Sequence, residues 1–227
     1  MACPIADTDL TERLRSCALG AGASLVGFAD VEGYADLPRA VALAIAHSPA
    51  ALADLEGMPS PAYYQEYLDF NRRLDEMAGR LAEVLEVAGC RVRLHPATLG
   101  VIDPETLAAP FSHKLAATRA GLGWIGKSAL LVTPELGPAL RLTSLLTDAP
   151  LVPGAPLTES ECGDCRACTD ICPGRAISGE EWWAGRPRHE FYDAFACRRA
   201  ALERARARGM DSTICGLCLA VCPRRPR

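Results

Sequence analysis

Eight of the eleven cysteines lie in the last third of the 227-residue chain, and their spacing constrains the fold more than any other feature. Residues 162–173 read CGDCRACTDICP, which fits the C-x2-C-x2-C-x3-C-P pattern of bacterial ferredoxins. Residues 215–223 read CGLCLAVCP, the same pattern without its leading cysteine, and Cys197 is the upstream candidate for that ligand. The pattern predicts two [4Fe–4S] clusters. Zinc is the alternative, although structural zinc sites more often use separated C-x2-C pairs.

The two motifs are expected to exchange ligands. In such domains the first three thiolates of a motif hold one cluster and the fourth reaches the other. One predicted ligand set is Cys162, Cys165, Cys168 and Cys222. The other is Cys172, Cys197, Cys215 and Cys218. Clusters that share motifs in this way suit electron relay, while a purely structural role is the alternative. The scattered Cys3, Cys17 and Cys90 are expected to be small buried thiols.

Composition describes a globular protein with an ordinary core. The chain is 49% hydrophobic and has a formal net charge of −4, so no overall basic field would attract nucleic acid. We found neither a signal peptide nor a long uncharged apolar run. We therefore expect a soluble, cytoplasmic protein with no membrane partner.

Hydrophobic periodicity outlines helices and strands in the first part of the chain. A capped helix begins at Thr8, and apolar strands follow at 23–30 and 40–47. The second of these strands is a continuous apolar run, which indicates burial on both faces. A long amphipathic helix then opens at Pro61 and stops at Gly89.

Two further strand predictions come from alternation and turn signals. Residues 90–95, CRVRLH, alternate so that Leu94 faces the core and His95 faces solvent. Residues 129–133 and 139–146, joined by a Pro-Glu-Leu-Gly turn, are expected to form a hairpin.

The chain is expected to divide near residue 150. Residues 148–160 form a Pro-rich connector, after which cysteines, arginines and short turns dominate. We predict an α+β sandwich over residues 1–150 and a small double-cluster, ferredoxin-like domain over residues 151–227.

A second signature lies before the connector. Residues 113–132 read HKLAATRAGLGWIGKSALLV, and the glycines with Lys127 suggest a backbone-lined pocket with a cation at its rim. With the ferredoxin motif after it, this stretch becomes specific. The order AGLGWIGK, hairpin, CGDCRACTDICP, Cys197 and CGLCLAVCP resembles the epoxyqueuosine reductase family and its relatives, the reductive dehalogenases.

The resemblance implies a nitroreductase-like domain that holds a base-off corrinoid, cobalamin, supplied with electrons by two [4Fe–4S] clusters. The family reaction reduces an epoxide on a tRNA nucleoside, and a flavodoxin- or ferredoxin-type protein would be the low-potential electron donor. The residues matching the cofactor-binding part are Lys114, Gly121, Gly123, Trp124, Gly126 and Lys127.

Two departures from the family pattern affect the predicted substrate. The family places an acidic proton donor seven residues before the lysine, where this chain has Leu107. Longer members also continue into a helical-repeat tRNA-binding region, whereas this sequence stops at Arg227. We therefore interpret the chain as a short iron–sulfur oxidoreductase that reduces a corrinoid, a corrinoid-bound substrate or another small molecule, and tRNA is not an expected partner. The alternatives are a true epoxyqueuosine reductase and a ferredoxin-like electron carrier without corrinoid.

Few residues qualify as catalytic from the sequence. Asp103 and Glu105 lie near the missing acid, and His113 precedes Lys114. The arginine-rich residues 198–209 are by default a solvated helix face; a docking patch for an acidic donor or RNA is the alternative.

Overall fold

The computed structural model describes residues 7–53, 55, 59–98 and 102–225, with the side chains of Asp7 and Thr8 excepted. The strands are β1 (Leu25–Asp30), β2 (Arg39–Ala46), β3 (Val92–His95), β4 (Trp124–Ile125), β5 (Leu131–Val132) and β6 (Leu140–Thr147). The helices are α1 (Asp7–Gly20), α2 (Pro49–Ala53), α3 (Pro61–Val87), α4 (His113–Arg119), α5 (Ala167–Ile171), α6 (Ala194–Arg206) and α7 (Leu217–Ala220). A 3-10 turn at Arg188–Glu190 precedes α6.

A four-stranded antiparallel sheet in the order β1-β2-β6-β3 forms the centre of the first part. β2 lies inside the sheet and is buried along most of its length, which confirms the prediction from its apolar run. Helices α1 and α3 pack on one face of the sheet through Leu14, Leu74 and their neighbours, and α4 packs on the other through Ala116 and Ala117. The mixed α+β architecture is therefore as predicted.

The boundaries of α3 follow from its terminal residues, as predicted. Ser60 accepts a hydrogen bond from the Tyr63 N–H and caps the helix, while Pro61 occupies its first turn, where a missing N–H costs nothing. Gly89, at φ +80°, follows the helix in the left-handed region that glycine adopts without strain. Local sequence signals therefore determine where α3 begins and ends.

The predicted hairpin of residues 129–133 and 139–146 is wrong. β5 pairs with β4, whereas β6 pairs along its whole length with β2 and, over four residues, with β3. Only an isolated bridge between Thr133 and Gly137 closes the intervening turn. The reason is burial: β6 carries Leu145 and Leu146, both at most 1% exposed, and it buries them by lying between two strands.

The predicted alternation in β3 is wrong at its end. Leu94 is 46% exposed, whereas His95 is only 9% exposed and packs its ring 5.2 Å from that of Phe111. β3 is an edge strand of four residues, so contact with the 102–112 segment decides which side chains are covered.

The Pro-rich connector packs against the first part of the chain. The Gly154 N–H donates to Phe28 O at 2.8 Å, and the Leu157 N–H donates to Thr118 O at 2.9 Å. A third hydrophobic cluster joins Leu52 and Tyr63 to Ile214 and Leu219 of the cysteine-rich segment. The two segments on either side of the proposed boundary near residue 150 therefore differ in composition but are in direct contact. Within the described ranges, no helix is long and apolar enough to cross a membrane.

Candidate iron–sulfur site

Short helices and turns position the eight cysteines of the C-terminal segment. Cys172 directly follows α5, and Gly216, at φ +78°, allows the sharp turn between Cys215 and α7. Cys197 lies in the first turn of α6, where Asp193 caps the helix by accepting from the Ala196 N–H. Helix α5 packs against α7, so the two motifs lie side by side.

Four thiols meet at a first position, which we call the first thiol group: Cys162, Cys165, Cys168 and Cys222. Burial raises the pKa of the Cys168 thiol, and the neighbouring Cys162, Cys222 and Cys165 raise it further. Burial likewise raises the pKa of Cys222, and Cys162 and Cys165 add to this rise. Such mutual interactions require the four sulfur atoms to be close together.

The other four thiols form a second thiol group: Cys172, Cys197, Cys215 and Cys218. Burial is the largest cause of the raised pKa of Cys218, followed by Cys197 and Cys215. Cys197 also has a raised pKa, from burial and from Cys172 and Cys215. Cys168 of the first group also raises the pKa of Cys218, so the two groups are neighbours, and the division into two ligand sets stays a prediction.

The donor chemistry of both groups fits [4Fe–4S] clusters. Buried thiols that oppose one another's ionisation require a cationic group before all of them can bind as thiolates. Among the described residues, no three His, Cys, Asp or Glu side chains converge closely enough to hold a single metal ion. In a [4Fe–4S] cluster, by contrast, each cysteine binds a different iron, so the sulfur atoms surround a larger body.

The glycine-rich stretch of the first part lies against the first thiol group. Lys127 is 5% exposed, and its Nζ donates to Gly163 O at 2.5 Å and Cys165 O at 3.2 Å. A Cβ on Gly126 would lie 3.4 Å from Cys162 Sγ. Lys127 therefore stabilises the loop between Cys162 and Cys168, a contact that the sequence did not suggest.

Tyr63 of α3 lies against the second thiol group. A Cβ on Gly216 would come within 3.0 Å of the Tyr63 ring. Burial raises the phenol pKa of Tyr63, and the adjacent Cys218 raises it further. The ring of His47 lies 5.1 Å from that of Tyr63, and its Nδ1 is 3.1 Å from Glu66 Oε2. Side chains of the first 150 residues thus reach both thiol groups.

A second tyrosine contacts Cys197 directly. Tyr192 donates a hydrogen bond to the Cys197 sulfur, which acts against the burial that raises the pKa of that thiol. Such a bond favours the thiolate form that binds iron. Nothing in the sequence distinguished Tyr192 from an ordinary packed aromatic residue.

The other predicted corrinoid-binding residues contact protein atoms. A Cβ on Gly121 would lie 2.6 Å from Ala155 O, and one on Gly123 would lie 2.2 Å from Val132 O. Trp124 is 1% exposed, with the Arg224 guanidinium 5.5 Å from its ring centroid. Close backbone packing accounts for these glycines, so this stretch forms no open cradle for a corrinoid, and its role in cofactor binding stays a prediction.

His113 and Lys114 are both half-buried and have different protonation properties. His113 Nδ1 accepts from the Ser144 hydroxyl at 2.7 Å, and its Nε2–H donates to Pro96 O at 3.1 Å. Burial lowers the His113 pKa to about 4, so the ring is neutral and both nitrogens are occupied. Lys114 Nζ donates to Ala129 O at 2.6 Å, and burial, with the nearby Arg188 charge, lowers its pKa to about 8.

The segment in which the family carries its acid is held by a cation. Arg188 donates to the carbonyl of Leu107 at 3.3 Å and to that of Thr106, and Leu107 adopts φ +51°. The Asp103 carboxylate accepts from the Glu105 N–H at 2.8 Å, a bond that lowers the Asp103 pKa. Asp103 is exposed and ionised, so it is a poor proton donor near neutral pH.

Arg141 is a functional candidate that sequence reasoning missed. From β6 it donates to Asn71 Oδ1 at 2.7 Å, Thr98 Oγ1 at 2.8 Å and Ala97 O at 3.0 Å, and its guanidinium lies 4.5 Å from the Tyr67 ring centroid. Its charge contributes to the lowered pKa values of His47 and His113. The sequence signal that could have identified Arg141 was a single arginine within a largely apolar strand.

Comparison with known proteins defines the class of the C-terminal segment. Residues 161–225 match the family of 4Fe-4S double cluster binding domains. The match supports two clusters, and the chain therefore contains an iron–sulfur domain of the double-cluster class.

Most of the chain is similar in sequence to epoxyqueuosine reductases. It is 31% identical over 168 residues to that enzyme of Vibrio cholerae, which covers 73% of this chain and 43% of the relative. It is 35% identical over 136 residues to the enzyme of Pseudomonas aeruginosa, and this alignment covers 56% of this chain and 34% of the relative. The chain thus spans less than half the length of these curated relatives.

Solved structures share its fold. A catabolic reductive dehalogenase superposes with a TM-score of 0.75 at 22% identity, covering 95% of this chain and 32% of its own. An epoxyqueuosine reductase solved with an epoxyqueuosine-modified tRNA-Tyr stem loop superposes with a TM-score of 0.61 at 19% identity. The superposition covers 96% of this chain and 65% of the reductase chain. These similarities confirm the predicted fold class, a sandwich followed by a double-cluster segment.

Proposed function

We propose that the chain is an iron–sulfur oxidoreductase of the epoxyqueuosine reductase type. The observation that carries the proposal is the contact of both thiol groups with the first part of the chain, through Gly126 and Lys127 at one group and Tyr63 at the other. Clusters in these positions would deliver electrons directly into that part. A free electron carrier has no need of such contacts, so we set aside the ferredoxin-like alternative.

We propose an epoxide on a tRNA nucleoside as the substrate. The curated relatives are epoxyqueuosine reductases, and one solved structure with this fold contains the modified tRNA stem loop. This reverses the preference drawn from the sequence, in which tRNA was not an expected partner. Reduction of an epoxide consumes two electrons, and two one-electron clusters are suited to supply them in succession.

Protons must come from a group other than the missing acid. Leu107 has no proton to give, Asp103 is ionised, and both His113 nitrogens are engaged. Lys114, with a pKa of about 8, carries a proton at neutral pH and can release it readily. We propose Lys114 of α4 as the proton source. It lies near Arg188, which also holds the segment at Leu107 where the family acid is missing.

Reduction of a corrinoid is the second candidate function. It is favoured by the fold shared with a reductive dehalogenase whose structure was interpreted in terms of B12-dependent dehalogenation. The glycine stretch does not form an open cradle here, so we assign no residue contact to a corrinoid. Electrons from low-potential clusters would suffice to reduce bound cobalamin.

An anaerobic turnover assay separates the two candidates. Protein loaded with iron and sulfide is given a low-potential donor and epoxyqueuosine-containing tRNA, with and without cobalamin, and queuosine is measured by mass spectrometry. We expect multiple-turnover conversion, reduced at least tenfold in Lys114→Met and unchanged in the control Arg80→Ala, whose side chain is exposed. Reduction of added cobalamin without any queuosine would overturn the tRNA reaction in favour of the second candidate.

A further inference from the structure

One face of α6 is exposed, basic and centred on an apolar side chain. Phe195 is 41% exposed, and Arg198, Arg199 and Arg206 are all exposed. At 3.6 residues per turn these residues, with the half-buried Leu202, fall within an arc of about 100°. We call this surface the α6 basic face. Ala201 and Ala205 are at most 1% exposed, lie beside this face next to Arg198, and fix the orientation of the helix.

Arg198, Arg199 and Arg206 form no ion pair within the described part of the chain, although the exposed Glu203 flanks them on the same helix. The ion pairs in the described part of the chain use other arginines, chiefly those of α1, α3 and the strands. The charge is also unevenly divided along the chain. Residues 161–227 carry 12 Lys and Arg against 9 Asp and Glu, whereas residues 1–160 carry 12 against 19. An acidic partner would therefore be attracted to the cysteine-rich segment and repelled by the rest.

The α6 basic face lies across α6 from the second thiol group. Cys197 is the residue directly before Arg198, and it points towards Cys172 and Cys215. Phe195 lies on the same first turn of the helix as Cys197. At about 100° per residue, Cys197 lies about 150° from the centre of the α6 basic face, so a protein seated there would be separated from it by about one helix width, roughly 10 Å, which suits short-range electron transfer.

We infer that the α6 basic face is the docking surface for an acidic one-electron carrier protein that reduces the second cluster. Phe195 and Leu202 would form the apolar centre of a small transient interface, with arginines as its rim. For a flavin carrier, the anionic hydroquinone gives one electron to a [4Fe–4S]2+ cluster, becoming the neutral semiquinone while the cluster becomes [4Fe–4S]+. The inference rests on the proposed electron relay, but not on tRNA as its substrate.

The test measures cluster reduction in the loaded protein by anaerobic stopped-flow mixing with reduced flavodoxin. Arg198→Glu/Arg199→Glu should slow the second-order reduction at least tenfold at low ionic strength, because steered association depends strongly on charge. The difference should shrink as salt shortens the screening length. The control Arg13→Glu/Arg80→Glu makes the same charge change on exposed positions of α1 and α3, and should stay within twofold of the parent protein.

Three outcomes would overturn the inference. Equal slowing in both double variants would reveal only an effect of net charge. An unchanged flavodoxin rate in Arg198→Glu/Arg199→Glu would remove the docking role, and loss of tRNA binding alongside it would assign the face to RNA. Slower reduction by the small cation methyl viologen would indicate a damaged cluster; a normal flavodoxin rate in Arg198→Gln/Arg199→Gln with normal iron content would then overturn the inference. None of these measurements requires tRNA turnover, so failure of the proposed reaction is recognised separately.

Discussion

Lys114 is a half-buried ammonium that donates to a carbonyl oxygen and lies near another cation. Its Nζ donates to Ala129 O, and Arg188 opposes its charge. Burial of a cation without a carboxylate disfavours the protonated form. Because no described carboxylate pairs with Lys114, its proton is held weakly enough to be transferred.

We predict a stability effect of Lys114 at alkaline pH. Its pKa is about 8 in the folded protein against 10.5 in the unfolded chain, so the unfolded chain binds more protons between these values. The free energy of unfolding should therefore rise with pH from about 8 to about 10.5, relative to Lys114→Met. Urea titrations of both proteins across this range test the difference. A constant difference between them would contradict the lowered pKa.

Short elements with close backbone packing were the hardest to predict. The helix signals of α3 and the apolar run of β2 specify their own elements, because capping and burial act locally. The pairing of β4 with β5 depends instead on contacts across the turn, where Gly123 meets Val132. Periodicity carries no information about such a partner, and the expected hairpin with β6 was wrong for that reason.

Gly123→Ala and Gly79→Ala are a matched pair of substitutions that tests the close backbone packing between β4 and β5. A Cβ at position 123 would lie 2.2 Å from Val132 O, so the β4–β5 pairing must open, at a cost of about 1–3 kcal/mol or more. A Cβ at position 79, inside α3, meets no atom within 4 Å and should stabilise the helix by about 1 kcal/mol. Thermal unfolding tests both changes. Equal melting temperatures for the two variants would contradict the close packing.

The sequence predicted the fold class and the double-cluster segment, because the spacing of the cysteine motifs is a local property of the chain. It did not predict the environment of those cysteines. Lys127 and Tyr63 lie far from the cysteines in sequence and reach them only through tertiary packing. Likewise, the cation beside Leu107 comes from Arg188, some eighty residues later.

We predict two complete clusters, about eight iron atoms per chain, after anaerobic reconstitution. Cys197→Ala should leave roughly half of this iron, because the remaining thiols of the second group cannot complete a four-cysteine ligand set. Cys17→Ala is the control, since that free thiol packs against the first hydrophobic core. Iron and sulfide analysis decides the matter. A full complement in Cys197→Ala, or zinc in the parent protein, would contradict the ligand assignment.

The contacts of Lys127 have a consequence for biogenesis. Its Nζ donates hydrogen bonds to the loop between Cys162 and Cys168, so the glycine stretch helps to hold in place the loop that is predicted to wrap the first cluster. Charged hydrogen bonds of this kind are worth about 1.5–3 kcal/mol. Maturation should therefore be sequential: the sandwich folds first and serves as the template on which the iron scaffold is inserted. Cells short of iron would accumulate a folded precursor that is ready for loading.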